Sequence, residues 1–110
     1  MIVADYLRNH GYNVLTVEDA EDALRVTEEN DMDAMILDVT LFGMDGPQLF
    51  EELQRIAPDV PVLLYSGATE KDAKVRRMLS MGARQFISKN QPLDDLAQAL
   101  QSLFHPVERS

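Results

Sequence analysis

Short apolar runs alternate with segments of helical periodicity along this chain, and this alternation constrains its fold more than any other feature. Apolar residues at a helical spacing predict five helices, and short apolar or β-branched runs predict four strands. Strands that alternate with helices form right-handed crossovers. The order αβαβαβαβα therefore predicts a doubly wound α/β fold with a parallel sheet. The helices are expected at 2–9, 19–30, 47–56, 70–81 and 92–104, and the strands at 13–17, 33–39, 60–65 and 84–88.

The length of 110 residues suits a single compact domain, and 45% of the residues are apolar, as in ordinary globular proteins. No repeat or linker interrupts the pattern. Residues 40–46 hold two glycines and are expected to form a loop. We expect one domain over residues 1–105 and a frayed tail over residues 106–110.

Several kinds of site are excluded by composition. The chain contains no cysteine, which excludes disulfides, thiolate catalysis and cysteine-based metal centres. Its two histidines, His10 and His105, are too far apart in the chain to indicate a transition-metal site. No apolar run reaches the length of a membrane span, and the first residues lack the pattern of a signal peptide. We therefore expect a cytoplasmic domain that does not bind membranes.

Charge is distributed unevenly around a formal net charge of −9. Residues 1–70 contain 3 basic and 15 acidic side chains, whereas residues 71–110 contain 7 basic and 4 acidic ones. An acidic chain with few aromatic residues does not predict direct nucleic-acid binding. The basic segment is either a solvated helix face or a surface that docks a protein of opposite charge. We define the docking face by four of its side chains: Lys74, Arg76, Arg77 and Arg84.

Polar side chains stand where three of the predicted strands end. Asp38 closes the run Met-Ile-Leu, Ser66 follows Val-Leu-Leu-Tyr, and Lys89 follows Phe-Ile-Ser. Ligands of open parallel sheets bind outside the carboxyl ends of the strands. If these strands are neighbours, a carboxylate, a hydroxyl and an ammonium group meet at one rim. This set can place a phosphoryl group on Asp38.

Three stretches of the sequence surround the polar residues at the strand ends. They are Met-Ile-Leu-Asp-Val-Thr-Leu-Phe-Gly-Met-Asp-Gly at 35–46, Val-Leu-Leu-Tyr-Ser-Gly-Ala at 62–68 and Met-Gly-Ala-Arg-Gln-Phe-Ile-Ser-Lys at 81–89. In this order they resemble the receiver domain of two-component response regulators. The resemblance covers the whole chain and implies a flavodoxin-like fold. It implies a signalling domain, not an enzyme, which receives a phosphoryl group from a histidine kinase or a phosphotransfer protein.

The same resemblance implies a role for individual residues. Asp38 would be the phosphoacceptor, Ser66 the hydroxyl that contacts the phosphoryl group, and Lys89 the basic residue beside it. Phe86 stands at the position of the family's switch aromatic, whose rotation reports the state of the hydroxyl. The alternative for Phe86 is ordinary core packing.

One departure from the family concerns its first strand, which ends in an acidic pair that helps to hold Mg²⁺. This chain begins inside the first helix, so we expect Mg²⁺ to have only Asp38 and the backbone carbonyl of Thr40 as protein ligands. In the family's strand order 2-1-3-4-5, the missing strand lies between 13–17 and 33–39. We expect these strands to pair with each other, or a second copy to complete the sheet in a homodimer or strand-exchanged oligomer. A further alternative is that Met1 is an internal start.

Two single residues also depart from the family. Phe42 and Asn90 stand where the family usually has proline, and the second of these prolines is cis. Because a cis bond before a residue other than proline costs about 3–4 kcal/mol, we expect the Lys89–Asn90 peptide to be trans.

Two functions fit these observations, and a third does not. The chain is either a phosphoacceptor receiver or a receiver-like module that docks or dimerises without phosphorylation. An aspartyl-phosphate phosphatase would also use an aspartate at a strand end, but it needs a second aspartate two positions later as acid and base. Thr40 occupies that position.

Overall fold

The computed structural model describes residues 2–38, 40–41, 44–67, 69 and 71–104. Within them, the helices are α1 (Ile2–Arg8), α2 (Ala20–Glu29), α3 (Gly46–Ile56), α4 (Ala73–Ser80) and α5 (Leu93–Phe104). The strands are β1 (Met35–Leu37), β2 (Thr40–Leu41), β3 (Met44–Asp45), β4 (Val62–Ser66) and β5 (Gln85–Ser88). Helices and strands alternate along most of the chain, and the predicted α/β class is confirmed.

The main sheet has three parallel strands in the order β1-β4-β5. Leu37 of β1 is aligned with Leu64 of β4, and Ser66 at the end of β4 is aligned with Ser88 at the end of β5. The carboxyl ends of the three strands therefore lie side by side. This register is what brings the residues after the strands to one rim.

Residues 40–46 were expected to form a loop, and this expectation was wrong for 40–41 and 44–46, while 42 and 43 lie outside the described residues. Strands β2 and β3 pair with each other in antiparallel orientation, Thr40 with Asp45 and Leu41 with Met44. Only two positions separate the strands in the sequence, and one of them is Gly43. Short connections that contain glycine favour hairpins, which accounts for the pairing.

The strand predicted at 13–17 is also absent: residues 12–17 belong to no helix or strand. A strand needs a neighbour for its backbone hydrogen bonds, and β-branched residues supply only the preference for extended backbone. The expected pairing of 13–17 with 33–39 was wrong, because β1 pairs with β4 alone among the described residues. The sheet is incomplete, as the sequence predicted, and its completion by a second copy stays a prediction.

Two hydrophobic clusters cover the two faces of the sheet. Val62 and Leu64 of β4 point into the cluster formed with α2, α3 and α4, while Leu63 points into the cluster formed with α1 and α5. All three side chains are buried. Because burial of an aliphatic side chain contributes about 1.5–3 kcal/mol, this alternation fixes β4 at the centre of the fold.

Helix α4 begins at Ala73, three residues later than the sequence predicted. The Asp72 carboxylate accepts hydrogen bonds from the Lys74 N–H (2.8 Å) and the Val75 N–H (3.3 Å) and so caps the helix. The cap sets the position of the docking face, which lies mostly on α4.

None of the helices in the described part of the chain has the length and apolar character needed to cross a membrane.

Candidate functional site

The three residues predicted at strand ends meet at one rim of the sheet. Asp38 follows β1 directly, Ser66 is the last residue of β4, and Lys89 follows β5 directly. Because β4 lies between β1 and β5, the Ser66 backbone stands between the two charged residues. The structure therefore brings together the residues that the strand-end rule selected.

Asp38 and Lys89 form an ion pair across this rim. The distance from Lys89 Nζ to Asp38 Oδ2 is 2.7 Å. The side chain of Lys89 is 45% exposed and that of Asp38 is 32% exposed. Exposed ion pairs contribute only about 0.2–1 kcal/mol to stability. The pair therefore affects the position of the Asp38 carboxylate and the charge around it more than it affects the stability of the fold.

The backbone and an aromatic ring both hold Lys89 in place. Its N–H donates to the Ser66 carbonyl oxygen (2.9 Å), which continues the ladder between β4 and β5 by one residue. Its Nζ lies 5.8 Å from the centre of the Tyr65 ring, within the range of a cation–π contact. The peptide between Lys89 and Asn90 is trans, so this prediction is confirmed, and Lys89 reaches Asp38 in that form.

Ser66 and Phe86 differ in their surroundings. Ser66 is 5% exposed and is the one buried polar residue among the described part of the chain. Phe86 is half-buried, is aligned with Leu64, and packs against the cluster beneath α2, α3 and α4. Phe86 therefore lies on the same side of the sheet as α4. This placement fits both interpretations of Phe86, as a switch and as core packing.

The predicted metal ligands are sparse in the described residues. Thr40 lies in β2, two positions after Asp38. No group of three or more histidine, cysteine, aspartate or glutamate side chains in the described ranges is arranged to hold a metal ion. Phe42 and His105 lie outside the described residues. His10, which is described, has its Nδ1 2.8 Å from the Tyr6 carbonyl oxygen and lies against the Tyr6 ring.

All four side chains of the docking face are exposed. Lys74, Arg76 and Arg77 lie on α4, and Arg84 lies just before β5. None of them takes part in an ion pair with another described residue. The structure thus leaves these four cations open to solvent.

A turn after β5 was not identified from the sequence. The Gln91 N–H donates to the Ser88 carbonyl oxygen (3.0 Å), and the Ser88 N–H donates in return to Gln91 Oε1 (2.8 Å). Asn90 N–H donates to Ser88 Oγ (3.1 Å). A serine with an asparagine two positions later, here Ser88 and Asn90, is a weak turn signal. Lys89 therefore lies within a turn whose flanking residues are hydrogen-bonded to each other.

Comparison with known proteins gives consistent results. The family model described as "Response regulator receiver domain" matches residues 1–101. The transcriptional regulatory protein GlrR of Escherichia coli is 34% identical over 95 residues, which is 86% of this chain. The chain spans only 21% of the length of that regulator.

Solved structures of similar fold include two receiver domains. The receiver domain of NtrX from Brucella abortus aligns with a TM-score of 0.87 at 27% identity, covering 96% of this chain and 89% of that one. The receiver domain of sensor histidine kinase PA1611 from Pseudomonas aeruginosa aligns with a TM-score of 0.84 at 24% identity, covering 94% and 86% of the two chains. That structure has a magnesium ion in its active-site cleft.

Proposed function

The chain belongs to the response regulator receiver domain family, and from this membership we propose that it accepts a phosphoryl group on Asp38. Receiver domains act in two-component phosphorelay signalling, and this chain is one of them. The donor would be a histidine kinase or a phosphotransfer protein. The observation that carries the assignment to Asp38 is its ion pair with Lys89, at 2.7 Å, where β1 ends.

The chemical step is nucleophilic attack by a carboxylate oxygen of Asp38 on phosphorus. A phosphorus–oxygen bond forms as the phosphorus–nitrogen bond of the donor's phosphohistidine breaks, and the departing imidazole takes up a proton. Two anions must approach each other in this step. The ammonium group of Lys89 offsets their repulsion, and because it already lies beside Asp38, little reorganisation is needed.

Ser66 and Phe86 are the residues that would respond to the phosphoryl group. Ser66 stands on the strand between Asp38 and Lys89, and its hydroxyl is of the type that can donate to a phosphoryl oxygen. A shift of Ser66 would change the packing space near Phe86 on the neighbouring strand. Because Phe86 packs on the α4 side of the sheet, its rotation would alter the surface of α4.

Receiver domains generally bind Mg²⁺, but the described residues of this chain do not form a complete site for it. Mg²⁺ requires six oxygen ligands in near-octahedral geometry and usually combines carboxylates with water and substrate phosphate. Asp38 and the backbone carbonyl of Thr40 are the proposed protein ligands, which leaves most of the coordination to water and to the phosphoryl group. The step above is therefore attributed to Asp38 and Lys89 alone.

Intact-mass analysis after incubation with acetyl phosphate tests this proposal. We expect one added phosphoryl group on the unmodified chain and none on Asp38→Asn. Parallel samples with Mg²⁺ and with a chelator measure how far the reaction depends on the metal. The absence of any addition to the folded chain, in both samples, would contradict the proposal. Equal addition to the Asp38→Asn variant would show that another residue is the acceptor.

A second candidate function is protein docking that does not depend on phosphorylation. The observation in its favour is the docking face, four exposed cations that form no ion pair with other described residues. Such a surface attracts an acidic partner, including an acidic region of a second copy. Sedimentation velocity at increasing protein concentration and salt tests for self-association. Association that persists in Arg76→Glu/Arg77→Glu would exclude this face, and Arg25→Glu on α2 is the control.

A further inference from the structure

The turn between β5 and α5 contains a side chain whose contacts bear on the position of Lys89. Gln91 makes two hydrogen bonds with Ser88, one as a donor through its backbone and one as an acceptor through its side chain. Its N–H donates to the Ser88 carbonyl oxygen at 3.0 Å, and its Oε1 accepts from the Ser88 N–H at 2.8 Å. Both polar backbone groups of Ser88 are thus held by one residue, three positions later.

The Gln91 side chain is itself anchored on α5. Its Nε2 donates to Asp95 Oδ2 at 2.9 Å. Asp95 lies in the first turn of α5, and its own N–H donates to the Pro92 carbonyl oxygen at 3.0 Å. Hydrogen bonds therefore run without interruption from the end of β5 through Gln91 to the start of α5. A hydrogen bond to a charged group is stronger than one between neutral groups, which favours a single rotamer of Gln91.

The Ser88–Gln91 turn needs such support because of where its backbone lies. In the parallel ladder, Lys89 N–H faces β4 and donates to Ser66, so the N–H of the preceding residue faces the opposite edge of β5. Strand β5 is an edge strand of the three-stranded sheet in the described chain. Without Gln91 Oε1, the Ser88 N–H would be left to water. The turn that carries Lys89 would then lose a restraint on one side.

From these contacts we infer that Gln91 is a positioning residue, which, together with Asp95, fixes the turn so that Lys89 Nζ stays beside Asp38. Its importance for phosphoryl transfer rests on the function proposed above, whereas its effect on the position of Lys89 does not. The side chain of Lys89 is long and 45% exposed, so the ammonium group has many competing rotamers. A fixed backbone reduces that competition.

Amine labelling measures the position of Lys89 without requiring phosphorylation. The chain has three lysines, and Lys71 and Lys74 are exposed, so they serve as internal references after proteolysis and mass spectrometry. We expect Gln91→Leu to raise the labelling rate of Lys89 by about two- to fivefold relative to the references, as the loss of an exposed ion pair allows. The Asp38→Asn variant should raise it to a similar extent.

Matched variants separate positioning from a general loss of structure. Gln98→Leu makes the same change at an exposed position within α5, outside the turn, and should leave the labelling of Lys89 unchanged. Asp95→Asn retains an acceptor for Gln91 and should behave as the unmodified chain, whereas Asp95→Leu should resemble Gln91→Leu. An unchanged Lys89 rate in Gln91→Leu, or an equal rise in Gln98→Leu, would overturn the inference.

A double-mutant cycle then tests the link to phosphoryl transfer. We expect Gln91→Leu to slow the uptake from acetyl phosphate by about fivefold when Lys89 is present and to have no further effect in Lys89→Met, because coupled residues are not additive. Additive losses would show that Gln91 does not act through Lys89. If neither the unmodified chain nor any variant takes up a phosphoryl group, the proposed function fails, and the labelling result still decides the role of Gln91.

Discussion

Lys89 Nζ lies 2.7 Å from Asp38 Oδ2, although the two residues are 51 positions apart in the chain. They follow the two outer strands of a three-stranded parallel sheet, so the ion pair spans the carboxyl end of the central strand β4. The pair is exposed enough to contribute little to folding. Its effect should therefore appear in the chemistry of Asp38 far more than in stability.

Replacement of Lys89 by methionine tests whether the ion pair affects the chemistry of Asp38 more than the stability of the fold. Because hydrogen bonds between charged groups contribute about 1.5–3 kcal/mol, we expect phosphoryl uptake from acetyl phosphate to slow about 10- to 100-fold. The free energy of unfolding in urea should change by about 1 kcal/mol or less. Lys74→Met on α4 is the matched control and should alter neither quantity. A Lys89→Met variant that reacts at the normal rate would contradict the role given to Lys89.

Ser66 offers a different test, because its side chain is buried at the end of β4. A neutral hydrogen bond from its hydroxyl to a phosphoryl oxygen would contribute about 1 kcal/mol, so Ser66→Ala should lower the uptake rate about fivefold. Ser66→Thr retains the hydroxyl and should lie closer to the unmodified chain. Thermal unfolding of both variants checks that the strand remains intact. If the alanine variant reacts as fast as the serine form, the hydroxyl has no part in the transfer.

Strong helical periodicity was a good guide to the fold. The sequence predicts helices at 47–56 and 92–104, and the structure has Gly46–Ile56 and Leu93–Phe104. Their apolar stripes are buried against the sheet, so local pattern and tertiary packing agree. The segment 13–17 shows the limit of local pattern. Its extended preference is visible in the sequence, but a strand depends on a partner elsewhere in the fold.

The same contrast holds for the candidate site. Asp38, Ser66 and Lys89 could be predicted together because the ends of neighbouring parallel strands must adjoin. The contacts of Gln91 could not, since besides the trans peptide, which was predicted, they depend on one side-chain rotamer. Residue spacing does not determine that rotamer. The contacts that orient a side chain are thus less predictable from the sequence than the strand at whose end the side chain lies.

Two glycines with positive φ should differ in how well they accept a side chain. Gly82, after α4, has φ +122°, and a Cβ atom there would lie 3.1 Å from Gln54 Nε2. Gly11, after α1, has φ +91°, and apart from its chain neighbours no atom of the described residues lies within 4 Å of a Cβ placed there. We expect Gly11→Ala to cost about 1 kcal/mol of unfolding free energy from backbone strain alone.

Gly82→Ala should cost more than Gly11→Ala, because Gln54 Nε2 donates to the Met81 carbonyl oxygen at 3.1 Å and must shift to admit the new methyl group. Urea unfolding of both variants measures the difference. Equal losses of unfolding free energy would show that the Gln54 side chain can shift without a measurable loss of stability and that backbone conformation alone determines the result.

The contact between Tyr6 and Asp94 joins α1 to α5 and should make stability depend on pH at the alkaline end. The Tyr6 hydroxyl donates a hydrogen bond to Asp94 Oδ1. This bond favours the neutral phenol and raises the pKa of Tyr6 above its ordinary value of 10.0, with partial desolvation and the charge of Asp94 acting in the same direction. The contribution is present below the pKa of the unfolded chain and is lost as the pH rises through the folded value.

The free energy of unfolding should therefore fall as the pH rises above 10.0, the ordinary pKa of tyrosine, and tyrosinate absorbance should follow the change. Tyr6→Phe identifies which part of the absorbance change belongs to this residue. In Asp94→Asn the carboxylate is gone, so Tyr6 should titrate at a lower pH than in the unmodified chain. The neighbouring Asp95→Asn should leave Tyr6 unchanged, because Asp95 is bonded to Gln91 instead. If Tyr6 titrates at the same pH in Asp94→Asn, the contact does not hold the phenol in its neutral form.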